Sequence, residues 1–290
     1  METESKSGTL YIVGTPIGNL EDISFRAVRI LQSVDLIAAE DTRHTGKLLH
    51  HFAIKGPQIS CHEHNQKQRI PELIAKLKAG KNIAVVTDAG MPGISDPGYE
   101  VVKAGVDAGI VVVPIPGPNA AITALSAAGL PTDRFIFEGF LPVKGKQRQQ
   151  RLELLATEAR TMVLYESPHR LRKTLQDLGK MLGESRTIAV GRELTKLYEE
   201  FWRGTIGEAL SYYQTSAPPQ GEFTLVVAGR SPLSQVISDT TLRTELESLF
   251  RQGISRSEAT KILAKQVSIS RKKIYQIALT IPDRDVENQN

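Results

Sequence analysis

Short apolar segments alternate with amphipathic segments over the first 230 residues, a pattern that is typical of an α/β protein. Apolar runs predict five strands in the first half of this region, at residues 9–14, 35–39, 58–61, 82–87 and 110–115. Helices are predicted from a cap at Asp22 or Ser24 to about residue 31, over residues 71–79, and from Asp96-Pro97 to Gly109.

A second α/β set follows, in which strands are predicted at residues 134–140, 162–165, 187–190, 201–206 and 223–228. Its predicted helices cover residues 147–158, 168–181 and 206–213. Two prolines and a glycine interrupt the chain between the two sets, at residues 116–119. We therefore expect two α/β domains, over residues 9–117 and 118–230, preceded by a disordered polar lead-in at residues 1–8.

The last fifty residues have a different pattern. A linker is predicted at residues 231–238, followed by a helical domain over residues 239–282 with helices at 240–252, 255–266 and 270–279. Ser255 and Ser270 are plausible N-caps, and a short turn is expected near residues 267–269. The spacing fits a helix-turn-helix, and it fits a plain three-helix packing unit equally well.

Composition narrows the class of protein. The 290 residues are 40% hydrophobic and 23% charged, which is ordinary for a globular protein of one or two domains. No apolar run approaches the roughly 18 residues that suggest a membrane span. Cys61 is the only cysteine, which excludes an intramolecular disulfide. These features predict a cytoplasmic protein of enzyme size.

The positive charge is concentrated in two segments. Residues 251–273 contain seven basic residues and one acid, and residues 144–151 contain four basic residues and no acid, although the whole chain carries a net charge of only +4. A solvated helix face would explain either run alone. Two runs on an otherwise acidic chain favour contact with a polyanion such as nucleic acid.

Common nucleotide-binding and hydrolase motifs are absent from the sequence. The segment Gly14-Thr-Pro-Ile-Gly18 has the wrong spacing for a dinucleotide loop, and Gly145-Lys146 is followed by Gln147 where a P-loop needs Ser or Thr. Cys61-His62-Glu63-His64 is a candidate metal cluster, with His50 and His51 upstream, but it lacks a second ligand pair. We expect no metal and interpret this segment as a polar loop at a strand end.

Several Gly- and Pro-rich loops follow the predicted strands directly, where open α/β sheets bind ligands. They lie at residues 14–19, 40–44, 87–98, 116–120, 166–170 and 192–196. Glycine lets the backbone approach a ligand closely, and the same loops supply Asp, Asn and Glu side chains. Each loop alone could be an ordinary turn, but six in corresponding positions predict a cleft that binds a polar ligand.

Six motifs carry a resemblance to a known family: LYIVGTPIGN at residues 10–19, AEDTRH at 39–44, TDAGMPGISDPG at 87–98, PIPGPN at 114–119, FEGFLP at 137–142 and YESPHRL at 165–171. They resemble the tetrapyrrole-methylase superfamily, and most closely its branch that methylates the ribose 2′-hydroxyl of a cytidine in 16S ribosomal RNA. The family's usual G-x-G-P-G loop is replaced here by Gly14-Thr-Pro-Ile-Gly18, and its GDP triplet by Thr87-Asp88-Ala89. These differences favour the RNA branch over a tetrapyrrole substrate.

The resemblance implies S-adenosylmethionine as cofactor, bound in the cleft between the two α/β domains. Matching positions place eight residues around it: Ile17, Asp88, Met91, Asn119, Ala120, Glu166, Leu194 and Thr224. Five more share those loops: Ala89, Gly90, Ile94, Ser95 and Tyr165. The resemblance also implies a homodimer and 16S ribosomal RNA of the small subunit as the partner, with no role for a membrane.

A ribose hydroxyl is a poor nucleophile at neutral pH, so a general base is expected. The candidates are Glu40, Asp41 and Glu193, although Glu40, Asp41 and Arg43 could instead form a helix cap with a local ion pair. Candidate RNA-binding residues are Arg43, Lys144, Lys146, Arg148, Arg170, Lys196, Arg271, Lys272 and Lys273. The alternatives are a tetrapyrrole methyltransferase and an RNA-binding assembly factor without catalytic activity.

Overall fold

The computed structural model describes residues 7–215, 217–230, 239–266 and 270–281. The predicted linker at residues 231–238 and the predicted turn at 267–269 lie outside these ranges, as do residues 1–6 of the lead-in. Contacts divide the chain into two compact units: one contains both sheets, and the other contains the C-terminal helices together with residues 157–159. The division of the first unit into two domains stays a prediction.

The first sheet is entirely parallel, with strand order β3-β2-β4-β1-β5. Its strands are β1 (Thr9–Val13), β2 (Leu36–Ala39), β3 (Gln58–Ser60), β4 (Ile83–Val86) and β5 (Val111–Ile115). The helices are α1 (Phe25–Ser33), α2 (Thr42–His51), α3 (Gln66–Lys78) and α4 (Tyr99–Asp107). They cover both faces, which is why β2 and β4 are apolar at every position.

The second sheet is mixed, with strand order β6-β7-β10-β8-β9; β6 and β7 are parallel and the other pairs are antiparallel. Its strands are β6 (Phe135–Phe140), β7 (Thr161–Glu166), β8 (Thr187–Arg192), β9 (Glu200–Thr205) and β10 (Phe223–Val227). The helices are α5 (Ala120–Ala127), α6 (Gly145–Thr157), α7 (Pro168–Leu182) and α8 (Ile206–Thr215). Helices α6, α7 and α8 bury the larger core on one face, and α5 packs on the other.

The second unit contains α9 (Asp239–Arg251), α10 (Arg256–Gln266) and α11 (Arg271–Leu279), which pack around Leu242, Leu246 and Ile274. The predicted N-caps are confirmed: the Ser255 hydroxyl accepts from the backbone of Glu258 at 3.3 Å, and that of Ser270 from Lys273 at 3.3 Å. Within the described ranges, no helix is both long and apolar enough to cross a membrane.

Two helix predictions need correction. The Asp96-Pro97 cap was wrong, because Pro97 closes a turn with Gly93 and α4 begins after Gly98, whose φ of 141° suits glycine. Helix α3 begins five residues before the expected start, with Pro71 inside it. Helix α5 was not predicted, and α2 was anticipated only by the alternative that Asp41 caps a helix.

Candidate active site

The loops that follow β1, β4 and β5 pack backbone against backbone at the carboxyl edge of the first sheet. Thr15 and Gly90 exchange backbone hydrogen bonds at 2.9 and 3.1 Å, and the Thr15 hydroxyl donates to the carbonyl of Thr87 at 3.0 Å. A Cβ atom on Gly14 would lie 2.7 Å from the Cα of Gly117, so neither glycine has room for a side chain. This close contact holds the three loops as one rigid platform.

Two hydrogen bonds join the residues after β2, Glu40 and Asp41, to Asp88 at the end of β4. The backbone N–H of Asp88 donates to Glu40 Oε2 at 3.3 Å, and the N–H of Asp41 donates to Asp88 Oδ1 at 3.2 Å. Burial raises the pKa of Glu40, and the nearby Asp88 carboxylate raises it further, against the effect of the backbone hydrogen bond. Glu40 is therefore a half-buried carboxyl group with an elevated proton affinity.

Asp96 extends this acidic cluster. Its side chain is accessible to solvent, but surrounding protein and the carboxylates of Glu40, Asp88 and Glu222 raise its pKa to about 7. A site with several carboxylates and few neutralising cations favours a positively charged ligand. The sequence placed Asp96 among the polar groups that these loops supply to the cleft, but not among the cofactor-binding or catalytic candidates.

The other two candidates for the general base, Asp41 and Glu193, form ion pairs with basic side chains. Asp41 caps α2 by accepting from the backbone of Arg43 at 2.8 Å, and the Arg43 guanidinium, 2.7 Å away, holds the pKa of Asp41 well below its usual range. Burial of Glu193 raises its pKa, but Lys196 at 2.7 Å and a backbone hydrogen bond from Glu222 reverse that effect and lower it. The cap-and-ion-pair alternative for Asp41 is therefore what the structure contains.

The second sheet contributes β7 and the loop after β8. The Tyr165 hydroxyl accepts from the backbone N–H of Ala121 at 3.1 Å, at the start of α5, and its ring packs edge-on against Phe137 at 5.0 Å. Thr224 lies beside Tyr165 on β10 and is buried. Asn119 caps α5 by accepting from Ile122 at 3.1 Å.

Residues of both sheets meet at this edge. Ile17, Ala120, Tyr165 and Leu194 pack in one apolar cluster. A Cβ on Gly90 would contact Ile17, and a Cβ on Gly139 would lie 3.1 Å from the Ser95 hydroxyl. Met91 lies against Gly14, and Asp88, Ala89 and Ile94 belong to the same loop. The structure thus brings most of the predicted cofactor residues to one place.

Glu166 is the exception. Its side chain is buried and accepts from the backbone of Ser167 at 2.8 Å, from the Thr174 hydroxyl and from Arg170 at 3.2 Å. All of these partners belong to α7 or its cap. The structure therefore assigns the Glu166 side chain to anchoring α7 on the sheet, which corrects the expectation that it contacts a ligand.

A cavity of about 260 Å³ adjoins Asp88. It lies between the loop after β1, the first turns of α2 and the end of β4, and its lining is mostly apolar, with His44, Lys47 and Asp88 as the polar side chains that can reach a ligand. The sequence anticipated only the cap of α2, at Asp41, so it did not predict that side chains of α2 line this cavity. The motif AEDTRH, whose aspartate caps α2, was the available signal.

The predicted RNA-binding residues have very different environments. Lys144, Lys146 and Lys272 are exposed, whereas Arg43 and Lys196 form ion pairs with Asp41 and Glu193. Arg271 bonds the Ser257 hydroxyl at 3.2 Å, and Lys273 lies 3.7 Å from Asp239. Two predictions need correction: Arg148 is buried with three hydrogen-bond partners, and Arg170 is held by Glu166 and the carbonyl of Leu141.

The histidine-rich segment shows no arrangement suited to a metal. In the ranges that the structure describes, no three His, Cys, Asp or Glu residues are grouped closely enough to hold an ion. Cys61 is buried between strands, and the Asn65 side chain caps the backbone of His62 at 2.9 Å. The segment is a structured turn before α3, as expected for a polar loop at a strand end.

Comparison with known proteins agrees with this geometry. The family model described as Tetrapyrrole (Corrin/Porphyrin) Methylases matches residues 9–210. The chain is 56% identical to the ribosomal RNA small subunit methyltransferase I of Synechocystis sp., over 94% of this chain and 98% of that protein. It is 47% identical to the protein of the same name from Escherichia coli O157:H7, over 95% and 96% of the two chains.

Solved structures show the same fold. The uroporphyrin-III-C-methyltransferase of Thermus thermophilus superposes with a TM-score of 0.55 at 24% identity, over 76% of this chain and 94% of that one. The cobalt precorrin-4 methyltransferase CbiF gives a TM-score of 0.56 at 17% identity, over the same shares. The resemblance first carried by six sequence motifs is confirmed: this chain belongs to the tetrapyrrole methylase family.

Proposed function

We propose that this chain transfers a methyl group from S-adenosylmethionine to the ribose 2′-hydroxyl of a cytidine in 16S ribosomal RNA of the small subunit. The main support is the 56% identity to a ribosomal RNA small subunit methyltransferase I, because it extends over 98% of that relative. The family model ends at residue 210, so this similarity also includes most of the chain that follows. The proposal includes a homodimer that works in the cytoplasm.

The residues at the carboxyl edge fit S-adenosylmethionine. Ile17, Met91 and Leu194 provide apolar surface for an adenine, and the loop after β4 would supply backbone groups for hydrogen bonds to it. Glu40, Asp88 and Asp96 provide the negative potential that suits a sulfonium. When bound, the cofactor supplies an electrophilic methyl group on a good leaving group, so the protein contributes mainly positioning.

Glu40 is the proposed general base among the three candidates. A base that accepts a proton from a hydroxyl works best when its pKa lies near the operating pH, and burial moves the pKa of Glu40 in that direction. Cations move the pKa values of Asp41 and Glu193 the other way and occupy their oxygens. Glu40 also lies next to the platform, where it accepts from the backbone N–H of Asp88.

The cavity beside Asp88 is the proposed place for the target nucleoside. Its apolar wall, formed by Pro16, Leu20 and Leu48, can pack against a base or ribose. His44, Lys47 and Asp88 offer donors and an acceptor for the polar edge of a base. A nucleotide must leave the RNA stack to enter such a cavity, which costs a few kcal/mol.

The test is transfer of tritium from labelled S-adenosylmethionine to purified small ribosomal subunits, followed by nuclease digestion and nucleoside analysis. Label in 2′-O-methylcytidine is the expected result, and sedimentation of the enzyme alone should give the mass of a dimer. Absence of transfer to subunits and to free 16S RNA, despite cofactor binding, would exclude the RNA substrate and favour a tetrapyrrole. Absence of cofactor binding in a titration would favour the assembly factor.

A further inference from the structure

A second pocket, of about 320 Å³, opens between the start of α6 and the second half of α7. Its charged lining consists of Lys144, Arg148, Lys173, Asp177 and Lys180, and we refer to it as the α6–α7 pocket. Four of these five side chains are cations. None of the five belongs to the platform, the proposed cofactor site or the cavity beside Asp88.

Arg148 places a fixed positive charge in the wall of the α6–α7 pocket. It is only 7% exposed, and its guanidinium donates to Asp177, to the carbonyl of Pro142 and to the Thr174 hydroxyl, each at 2.9 Å. A planar guanidinium held by three partners has no freedom to turn away. Its charge is therefore a permanent feature of the pocket.

Asp177 is the only acid in this lining, and its carboxylate forms ion pairs with two of the cations. One oxygen accepts from Arg148 and the other from Lys173, both at 2.9 Å. Burial raises the pKa of Asp177, but the two cations outweigh burial and lower it, so the carboxylate stays ionised. Asp177 therefore compensates about one of the two cations that it contacts.

Lys144 and Lys180 remain uncompensated. Both are exposed, and among the described residues neither forms an ion pair. The pocket thus carries a net positive charge that includes two free ammonium groups on its rim. Val143, which is 71% exposed, and Met181 add apolar surface to the same concavity.

We propose that the α6–α7 pocket binds the sugar–phosphate backbone of the ribosomal RNA substrate, with a phosphate held by Lys144 and Lys180 and a ribose against Val143 and Met181. The ligand chemistry on which this depends is an anion joined to an apolar sugar face, which matches the two kinds of lining. The inference rests on the proposed function, because it assigns the RNA a second contact outside the active-site edge.

The decisive variant is Lys144→Gln/Lys180→Gln, which removes the free charges and leaves Arg148 and its partners intact. Affinity for purified small ribosomal subunits, measured by filter binding at several salt concentrations, should fall roughly tenfold at low salt. The plot of log affinity against log salt should become shallower by about 1 for each lysine removed. The Kd for S-adenosylmethionine should not change.

Lys67→Gln/Lys78→Gln is the matched control. Both lysines are exposed, neither forms an ion pair among the described residues, and both lie on α3 outside the pocket. This control should bind subunits with wild-type affinity and salt dependence. An unchanged affinity and slope in the Lys144→Gln/Lys180→Gln variant would overturn the inference, as would an equal loss in the control.

A small phosphorylated ligand is the other source of the same anion chemistry. Saturable binding of inorganic phosphate to wild-type enzyme in titration calorimetry, lost in the Lys144→Gln/Lys180→Gln variant while subunit affinity is retained, would overturn the RNA assignment. The binding assay does not depend on turnover. Absence of methyl transfer by the wild-type enzyme would therefore contradict the proposed function. The salt dependence of subunit binding would still decide separately whether the α6–α7 pocket binds RNA.

Discussion

The carboxylates beside the two sheets are held in different ways. At the edge of the first sheet, burial and the nearby acids raise the pKa of Glu40, against the effect of the hydrogen bond that it accepts from the backbone N–H of Asp88. Beside the second sheet, Glu166 and Asp177 each lie against an arginine within 3.2 Å. Acids that lie close together are energetically unfavourable until a positively charged ligand binds. Each carboxylate beside the second sheet is already neutralised by the arginine that it contacts. In the proposed function, the acids beside the first sheet take part in the chemistry, and those beside the second sheet belong to a structural frame formed with α6 and α7.

The largest effect on stability is expected where the frame is broken at Arg148. Arg148→Met leaves the buried side of Asp177 and the Thr174 hydroxyl without their charged partner, so the free energy of unfolding should fall by about 3 kcal/mol. Urea unfolding followed by circular dichroism measures it. Lys146→Gln, an exposed position on the same helix, should change stability by less than about 0.5 kcal/mol. Equal effects of the two variants would contradict the buried network.

The largest effect on catalysis is expected at Glu40. Glu40→Gln should lower kcat by about 100-fold because the amide cannot accept the hydroxyl proton. In the wild-type enzyme, kcat should rise with pH through the elevated pKa of Glu40 and then level off. Tritium transfer at saturating subunit concentration gives both quantities.

Substitutions of Asp41 and Glu193 test whether the loss of kcat is specific to Glu40. Asp41→Asn and Glu193→Gln should retain most of kcat, because their carboxylates are committed to Arg43 and Lys196. A decrease in kcat for Glu193→Gln that matched or exceeded the decrease for Glu40→Gln would assign the general base to Glu193, beside the second sheet.

A smaller effect is expected where the two regions join, at Tyr165. Tyr165→Phe removes the acceptor of the Ala121 N–H at the start of α5, which should lower the free energy of unfolding by about 1 kcal/mol. The same change should weaken cofactor binding, since Ala120 and Asn119 begin this helix. Tyr99→Phe, at an exposed tyrosine, is the control for thermal unfolding and cofactor titration.

The smallest effect is a pH dependence of stability at Asp96. The pKa of Asp96 in the folded protein is raised to about 7. Its carboxyl group therefore contributes fully to the free energy of unfolding below its ordinary pKa near 3.8, and this contribution is lost as pH rises through 7. Asp96→Asn should therefore match wild-type Tm at pH 4 and exceed it slightly at pH 8, without cofactor. Asp22→Asn, at an exposed acid, should show no such crossover with pH. A constant difference at all pH values would contradict the shifted pKa.

The sequence predicted the strands well because apolar runs of four to six residues are a local signal. It did not predict α5, which is almost entirely apolar and shows no helical period. It anticipated only the cap of α2 at Asp41, because α2 carries Gly46 and three histidines among few apolar residues. The loops of the site were predicted from their position after strands. Which acids in those loops would be neutralised depends on distant partners, and the sequence does not reveal them.

Arg148 shows why the environment of each charged residue could not be predicted from the sequence. In sequence it is one of four cations in a run without acids, which predicts a surface contact with RNA. In the fold it is buried, because Thr174 and Asp177 on α7 satisfy it. The fold then adds Lys180, far along the chain, to the pocket beside Lys144. Charge density is visible in a sequence, but burial of one charge and exposure of another depend on tertiary packing.

The position of β1 between β4 and β5 has a consequence for synthesis of the chain. Thr9 pairs with Val111, so β1 has no partner on that side until β5 has been translated. Contacts between residues so far apart form slowly, because the loop between them must close first. An apolar strand with an unpaired edge is therefore exposed until residue 115 has been translated, and we expect nascent chains in this state to be prone to aggregation.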